Sequence, residues 1–236
     1  PEALFIGSGR IFQSRYVKVN GCYRLYCVVL MRTKDEGGLN YVIYSDDFGE
    51  SWAMLGGVGV TGGDEPKAEE LPNGDVLLSS RWWGRIFNIF HFTDARTARG
   101  EWMEQAKSNV DNAGVVAEQN ACNGEIMILP VVRNADGKDM WLALQSIPFG
   151  PQRANVGIYY KGMATPADYS TPQRFASFWE GRHQVSKILS AYSTMTQQKD
   201  GTIGFLYEES TFGKDYSIIY KNLSVETITG GAYRAR

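Results

Sequence analysis

What most limits the fold of this chain is a succession of short strand-like runs, each closed by a glycine-bearing or charged turn. Nowhere do they alternate regularly with long helical segments. Residues 10–17, 23–31 and 39–44 begin the series, and 75–80, 86–90, 124–129 and 140–144 continue it. Residues 154–160, 203–207 and 216–220 complete it. Runs of this length between turn signals argue for antiparallel sheets and against a βαβ repeat. One plan recurs: residues 71–78 resemble residues 198–205, and the turn at 132–138 leading to Met140 is a looser copy. Asn73-Gly74 and Asp200-Gly201 are strong turn signals, because Asn, Asp and Gly tolerate the backbone of tight hairpins. Irregular repetition of strand, polar turn and strand favours a β-propeller over a sandwich. The 26 glycines and 13% aromatic residues suit such a fold. A short helix is expected around residues 100–108, and 162–186 reads as a long irregular excursion.

At 236 residues, one large all-β domain or two smaller domains can bury a core. Twenty-four basic and 26 acidic residues, without a long run of either sign, do not point to a nucleic-acid protein. Cys22, Cys27 and Cys122 lack metal-site spacing. Cys22 and Cys27 fall on opposite faces of a regular strand, so free thiols are expected rather than a disulfide. No segment has the length and apolarity of a membrane span, and no signal peptide is visible. The abrupt start at Pro1-Glu2-Ala3 leads us to expect a missing opening. No phosphate loop, nucleotide fingerprint, redox cysteine pair or zinc pattern occurs, and His91 and His183 do not form a metal pair by spacing. The reading calls for no cofactor and no metal.

The stretch Tyr44-Ser-Asp-Asp-Phe-Gly-Glu-Ser-Trp52 invites a catalytic reading of its aspartates. A structural corner explains it better: Asp47 caps amides of its own turn, Gly49 accepts a positive φ, and Trp52 covers the turn. Ser45, Asp47, Gly49, Ser51 and Trp52 also resemble the Asp-box of sialidases, and the resemblance extends along the chain. Gly7-Ser-Gly-Arg-Ile11 is similar to a glycine-rich lead-in of bacterial sialidases. Residues 65–81 resemble the segment that opens on a catalytic-pair glutamate and closes on an active-site arginine. Ser146-Ile-Pro-Phe-Gly-Pro-Gln-Arg153-Ala-Asn155 resembles the segment carrying another arginine. Ala191-Tyr192-Ser-Thr-Met-Thr, with residues 200–208 after it, resembles the catalytic-tyrosine segment and its following strand. These matches occur in family order.

The resemblance implies a six-bladed all-β propeller whose active site lies where the inner strands converge. This chain would supply the later blades and lack the opening ones, residues 1–236 being a partial sialidase catalytic domain. It implies Tyr192 as nucleophile, Glu65 as its base, and Arg81 and Arg153 as two of three arginines that hold the sugar carboxylate. Planar paired hydrogen bonds suit guanidinium to that task. A neutral tyrosine avoids the repulsion a carboxylate nucleophile would meet beside the substrate's own carboxylate, but it needs a base. The third arginine and the acid/base aspartate belong to earlier segments without counterpart here. Arg10 and Asp47 match other motifs and do not take those roles. Glu69 and Glu70 are expected to be exposed charges.

Trp82, Trp83, Phe149 and Tyr159 are candidates for an apolar wall beside an N-acyl group, with core or rim packing equally open to them. Asn120, Cys122 and Asn123 are candidates for a polar lining, and Glu208 for a supporting role. The implied activity is that of an exo-sialidase, releasing terminal sialic acid from glycoconjugates with retention through a tyrosyl intermediate. The alternatives are an intramolecular trans-sialidase, an inactive sialoglycan-binding propeller and a purely structural propeller. Implied partners are sialylated glycans and a second polypeptide carrying the missing blades; the implied setting is a secreted, periplasmic or cell-surface bacterial one.

Overall fold

The computed structural model describes residues 2–6, 9–35 and 37–236, so Gly7 and Ser8 of the glycine-rich lead-in lie outside the described residues. The chain is all-β, with four antiparallel sheets laid down in sequence as four blades of a β-propeller arrangement. The first holds β1 (Ala3–Ile6), β2 (Phe12–Val19), β3 (Cys22–Thr33), β4 (Gly37–Ser45), β5 (Ala53–Met54) and β6 (Val60–Thr61). β1 and β2 pair with opposite halves of β3 and form one interrupted edge. The second holds β7 (Pro66–Glu70), β8 (Val76–Trp82), β9 (Gly84–Asp94), β10 (Arg99–Trp102) and β11 (Ala106–Ser108). The third is built from β12 (Ile126–Arg133), β13 (Asp139–Pro148), β14 (Val156–Met163) and β15 (Gly181–Gln184). The fourth is β16 (Ser190–Gln197), β17 (Ile203–Thr211) and β18 (Lys214–Leu223). After it, β19 (Tyr233–Ala235) returns to pair with the end of β12. Among the described residues, no helix is long and apolar enough to cross a membrane.

Apolar cores fill the spaces between consecutive sheets. Tyr26, Val28 and Val42 of the first sheet meet Val76, Leu78 and Phe90 of the second. Leu77, Phe87 and Ile89 face Ile128, Ala143 and Ile147 of the third. Leu142, Leu144 and Ile158 face Met195, Phe205 and Tyr207 of the fourth. A middle strand such as β8 therefore buries alternate side chains in two different cores, which is why it reads as an unbroken apolar run. Each fully buried aliphatic side chain contributes about 1.5–3 kcal/mol. The outer faces of the first and fourth sheets carry no further sheet among the described residues. Leu4 and Ile6 are 63% and 65% exposed on one, and Ile218 is 66% exposed on the other.

The repeated strand–turn–strand plan is the hairpin joining the innermost strand of a sheet to its neighbour. Gly74 sits between β7 and β8, Gly137 between β12 and β13, and Gly201 between β16 and β17, all at positive φ. The expected helix at 100–108 is not formed. Residues 99–102 and 106–108 are instead β10 and β11, both paired with β9. Sheet hydrogen bonding and the edge-on contact of Trp102 with Phe90, at 5.3 Å, outweigh local helix propensity. The excursion at 162–186 is more ordered than its sequence suggests. It contains the short helix α1 (Pro172–Ala176) as well as β15, and inserts Phe175 and Trp179 into the core. A second short helix, α2 (Val225–Thr229), follows β18.

Glu69 and Glu70 also differ from expectation, for both are buried. Glu69 pairs with Arg10 at 2.5 Å, while Glu70 accepts from Ser14 Oγ at 2.5 Å and from the Arg15 amide at 2.6 Å. The strand that carries them lies against the inner edges of its neighbours, where ion pairs replace apolar contacts. All three cysteines are free.

The Ser45–Trp52 corner lies at the hairpin end of the first sheet, since Ser45 pairs with Leu25 near the start of β3. Asp47 accepts from the Ser51 hydroxyl at 2.5 Å, the Ser51 amide at 2.9 Å and the Ser45 hydroxyl at 2.7 Å, which together pull its carboxyl down to about 2. Gly49 has φ +91°, and the Trp52 indole N–H donates to its carbonyl at 3.1 Å. The neighbouring Asp46 clamps the fully buried Arg24 through two bonds of 2.7 and 2.8 Å. Arg24 in turn donates to the carbonyls of Ala95 and Arg96 in the second sheet. Both aspartates are thus occupied in joining turns.

Candidate active site

The opposite end of the sheets, where β7, β14 and β16 begin, gathers Glu65, Arg81, Arg153 and Tyr192. Glu65 directly precedes β7, and the Arg81 amide donates to its carbonyl at 3.3 Å. Because Pro66 pairs with Ser80, extending the ladder by one step sets the Glu65 and Arg81 side chains together. Arg81 Nη1 lies 2.7 Å from Glu65 Oε2. Tyr192, on β16 of the fourth sheet, donates its hydroxyl to Glu65 Oε1 at 2.5 Å and accepts from Arg81 Nη1 at 3.1 Å. The Tyr192 amide is fixed by Glu208 Oε2 at 3.2 Å. Residues 127 positions apart in sequence therefore share one hydrogen-bond cluster.

Arg153 is brought to this cluster by its loop. The Ser190 amide donates to the Arg153 carbonyl at 2.9 Å, and Ala154 bridges to Leu189, so the loop before β14 is laced to the start of β16. The Arg153 guanidinium then lies 5.5 Å from the centre of the Tyr192 ring. Two guanidinium groups, a phenol and a carboxylate thus converge. Burial opposes the charge on Arg81, but the hydrogen bond and charge of Glu65 hold its guanidinium above the ordinary value. Burial first, and then the Glu65 carboxylate, push the Tyr192 phenol up to about 12. The resting hydroxyl is therefore protonated at neutral pH, in contact with the Glu65 side chain.

The raised phenols carry a stability consequence. Burial and Glu209 likewise raise Tyr207 to about 12. The folded state holds both protons more tightly than an unfolded chain with the ordinary value of 10.0. Their contribution is fully present below that value and is lost as pH rises through 10.0 towards about 12. Urea midpoints measured across this window are expected to fall steadily; a midpoint that held or rose would contradict the assignment.

The other candidate residues divide into two groups. Asn123 and Tyr192, with Lys67 and Glu208, line a cavity of about 290 Å³. Trp82 and Trp83 line a separate cleft of about 380 Å³ that also includes Arg81. Phe149 and Tyr159 are instead buried in the core between the second and third sheets, edge to face at 5.1 Å. Asn120 is buried too, with its amide on the carbonyls of Glu118 and Pro148. Cys122 is buried, and burial pushes its thiol up to about 11. His91 contacts Asp75 at 2.9 Å, and no group of residues suited to a metal occurs among the described residues.

Sequence reasoning missed three supports of the site. Asp64 reaches Arg32 at 3.0 Å with one oxygen and Arg81 at 3.8 Å with the other. Arg85 is fully buried opposite Arg81, with Nε on the Ser79 hydroxyl at 2.9 Å and Nη1 on the Cys122 carbonyl at 3.2 Å. Lys67 and Glu125 form a buried pair at 3.5 Å, and Thr194 donates to the same carboxylate at 2.9 Å. The period-2 placement of Lys67 and Glu69 along β7 was the available signal, and its polar residues hid it.

No protein-family model matches the chain. A curated sialidase from Micromonospora viridifaciens is 30% identical over 196 residues, covering 80% of this chain and 26% of that protein. Among solved structures, the Ruminococcus gnavus intramolecular trans-sialidase, in complex with oseltamivir carboxylate, aligns with TM-score 0.66 and 21% identity. The alignment covers 95% of this chain and 45% of that one. The NanB sialidase of Streptococcus pneumoniae aligns with TM-score 0.67 and 16% identity, over 96% of this chain and 32% of that one. A Hadza microbial sialidase, Hz136, gives TM-score 0.63 and 22% identity over 95% and 38%. The solved structures establish likeness of fold, and this chain spans less than half the length of each relative. With the curated likeness running through four-fifths of its residues and the same fold in these neighbours, the chain belongs to a bacterial sialidase-like family.

Proposed function

We propose that the chain supplies the nucleophile, its base and two carboxylate-binding arginines of a retaining exo-sialidase acting on sialylated glycans. The observation that carries this reading is the 2.5 Å hydrogen bond from the Tyr192 hydroxyl to Glu65, flanked by Arg81 and Arg153. The arginines hold the sugar carboxylate and orient the anomeric carbon over the phenol. As the Tyr192 oxygen bonds that carbon, its proton passes to Glu65 and the glycosidic C–O bond breaks. The leaving oxygen takes a proton from an acid that the family resemblance assigns to an aspartate of an earlier blade. The same group then deprotonates water, which attacks the anomeric carbon. The tyrosyl C–O bond breaks, and Glu65 returns the proton to Tyr192.

The wider reading is a six-bladed propeller in which residues 1–236 supply the later blades and a second polypeptide supplies the opening ones, with the third arginine. The apolar outer faces of the first and fourth sheets support it, since exposed surfaces of this kind suit further blades. The Ser45–Trp52 corner is, on this reading, an Asp-box, and the protein acts outside the cell or at its surface. Native mass measurement is expected to find a companion chain; a lone 26.3 kDa species that is closed and active would contradict the split.

Proton NMR of the first product released from a simple sialic acid ketoside tests the chemistry. The α-anomer should form first and then mutarotate. First formation of the β-anomer, or no release by the completed protein, would overturn the reading. An anhydro sugar would instead identify intramolecular transfer, a variant that the fold shared with the R. gnavus enzyme keeps in view.

A further inference from the structure

Resting on that functional reading, we propose that Glu125 is a positioning residue: through Thr194 it holds β16 so that the Tyr192 phenol meets Glu65. Strand pairing alone does not fix Tyr192. β16 lies at the inner edge of its sheet and, among the described residues, pairs with β17 alone. Their ladder shifts register between Ser190, opposite Glu209, and Ser193, opposite Tyr207, so Tyr192 sits within an irregular step. Such a step re-aims a side chain, and other contacts must hold the new direction. Glu208 anchors the Tyr192 amide at 3.2 Å. The reach of its ring towards β7 is set from across the sheets.

A second bridge supplies that control. Two residues beyond Glu65, Lys67 Nζ lies 3.5 Å from Glu125 Oε2. Two residues beyond Tyr192, Thr194 donates its hydroxyl to the same oxygen at 2.9 Å. Lys67, Glu125 and Thr194 thus repeat, one step further along both strands, the link that Glu65 and Tyr192 make between β7 and β16. The Lys67 and Glu125 side chains are each only 1% exposed, so water does not compete for this bridge. Arg10 Nη1 faces the other carboxylate oxygen at 3.6 Å, and cations on both sides fix the orientation of Glu125.

The mount of Glu125 is rigid. Its amide donates to Ser146 Oγ at 2.8 Å, while its carbonyl accepts from the Ser146 amide at 2.9 Å and from the Gln145 side chain at 3.0 Å. A Cβ on Gly124 would lie 1.7 Å from the Ser146 carbonyl oxygen, so the backbone before Glu125 is pressed directly onto β13. Ser146 Oγ also accepts from Ser193 Oγ at 2.8 Å. The residue between Tyr192 and Thr194 is therefore tied to the strand that carries Glu125. Releasing Thr194 frees the inner face of β16, and a misplacement of about 1 Å at a reacting group can cost on the order of 10²-fold in rate.

Kinetics and NMR on the completed protein test the proposal. In Thr194→Val, kcat for a simple sialic acid ketoside should fall roughly 10- to 30-fold with KM within about threefold, and Thr194→Ser should restore most of it. Lys67→Met combined with Glu125→Leu removes both charges together, leaving neither buried without the other, and should give a similar loss. Adding Thr194→Val to that pair should cost little more, because the three residues act as one unit. With tyrosines carrying 13C at Cζ, the resonance that Tyr192→Phe deletes should move upfield in Thr194→Val, towards that of a free phenol, and return in Thr194→Ser. An unmoved resonance, an unchanged kcat in folded Thr194→Val, or full additivity of the losses overturns the positioning role and leaves the sialidase reading intact. No ketoside release by the parent, with the resonance moving as expected, overturns the sialidase reading and upholds the positioning of Tyr192 on Glu65.

Discussion

Tyr192→Phe is expected to lower kcat for a simple ketoside by on the order of 10³-fold or more while leaving the protein folded. The substitution removes one oxygen that makes two hydrogen bonds, to Glu65 at 2.5 Å and Arg81 at 3.1 Å, and keeps the ring beneath Arg153. Carboxylate recognition by the arginines survives, so substrate affinity should change far less than turnover. The pair Glu65 and Arg81 also remains in contact at 2.7 Å, which keeps the cluster from collapsing. Steady-state assay of the purified variant reads the result. Turnover within tenfold of the parent would remove Tyr192 from the nucleophile role.

The largest expected stability effect lies at the other end of the molecule. Arg24→Met should cost about 3 kcal/mol, read as a lowered urea midpoint with an unchanged slope. Arg24 is wholly buried, and its four hydrogen bonds join Asp46 in the first sheet to the Ala95 and Arg96 carbonyls in the second. Methionine fills much of the volume but leaves both carbonyls and the carboxylate without their donor. Burial opposes the arginine charge, but the hydrogen bonding and charge of Asp46 and Tyr26 together hold the guanidinium above its ordinary value. A midpoint shift worth under about 0.5 kcal/mol would show that the inter-sheet clamp is not structural.

Much of the scaffold was legible because the middle strands obey simple rules. β3, β8 and β13 bury apolar side chains on both faces, β17 buries Ile203, Phe205 and Tyr207 on one, and Asn73-Gly74 and Asp200-Gly201 mark hairpins that form. The innermost strands that position the site were harder to see. β7 reads Pro-Lys-Ala-Glu-Glu and β16 reads Ser-Ala-Tyr-Ser-Thr-Met-Thr-Gln, so neither announces a buried strand. Yet every residue of β7 is buried, because Lys67 pairs with Glu125 and Glu69 with Arg10 across sheets. Hydropathy cannot detect burial that rests on partners 58 or 59 residues away. Local propensity failed similarly at residues 99–108, where β9 supplies the hydrogen bonds that a free segment lacks.

The meeting of Glu65, Arg81, Arg153 and Tyr192 was not available from spacing either. It depends on a ladder between β7 and β8, a loop laced to Ser190, and a strand from the fourth sheet. Family resemblance named these residues, and the fold supplies the reason for their convergence. Arg24 and Arg85 show the converse: ordinary-looking arginines whose complete burial only the assembled sheets explain.

The most direct test is peptide mapping by mass spectrometry after rapid acid quenching of the completed protein during turnover of a sialic acid ketoside. One sialyl unit should be found on the peptide containing Tyr192, attached to its phenolic oxygen. A sialyl unit fixed to another residue, with Tyr192 unmodified, would contradict the account.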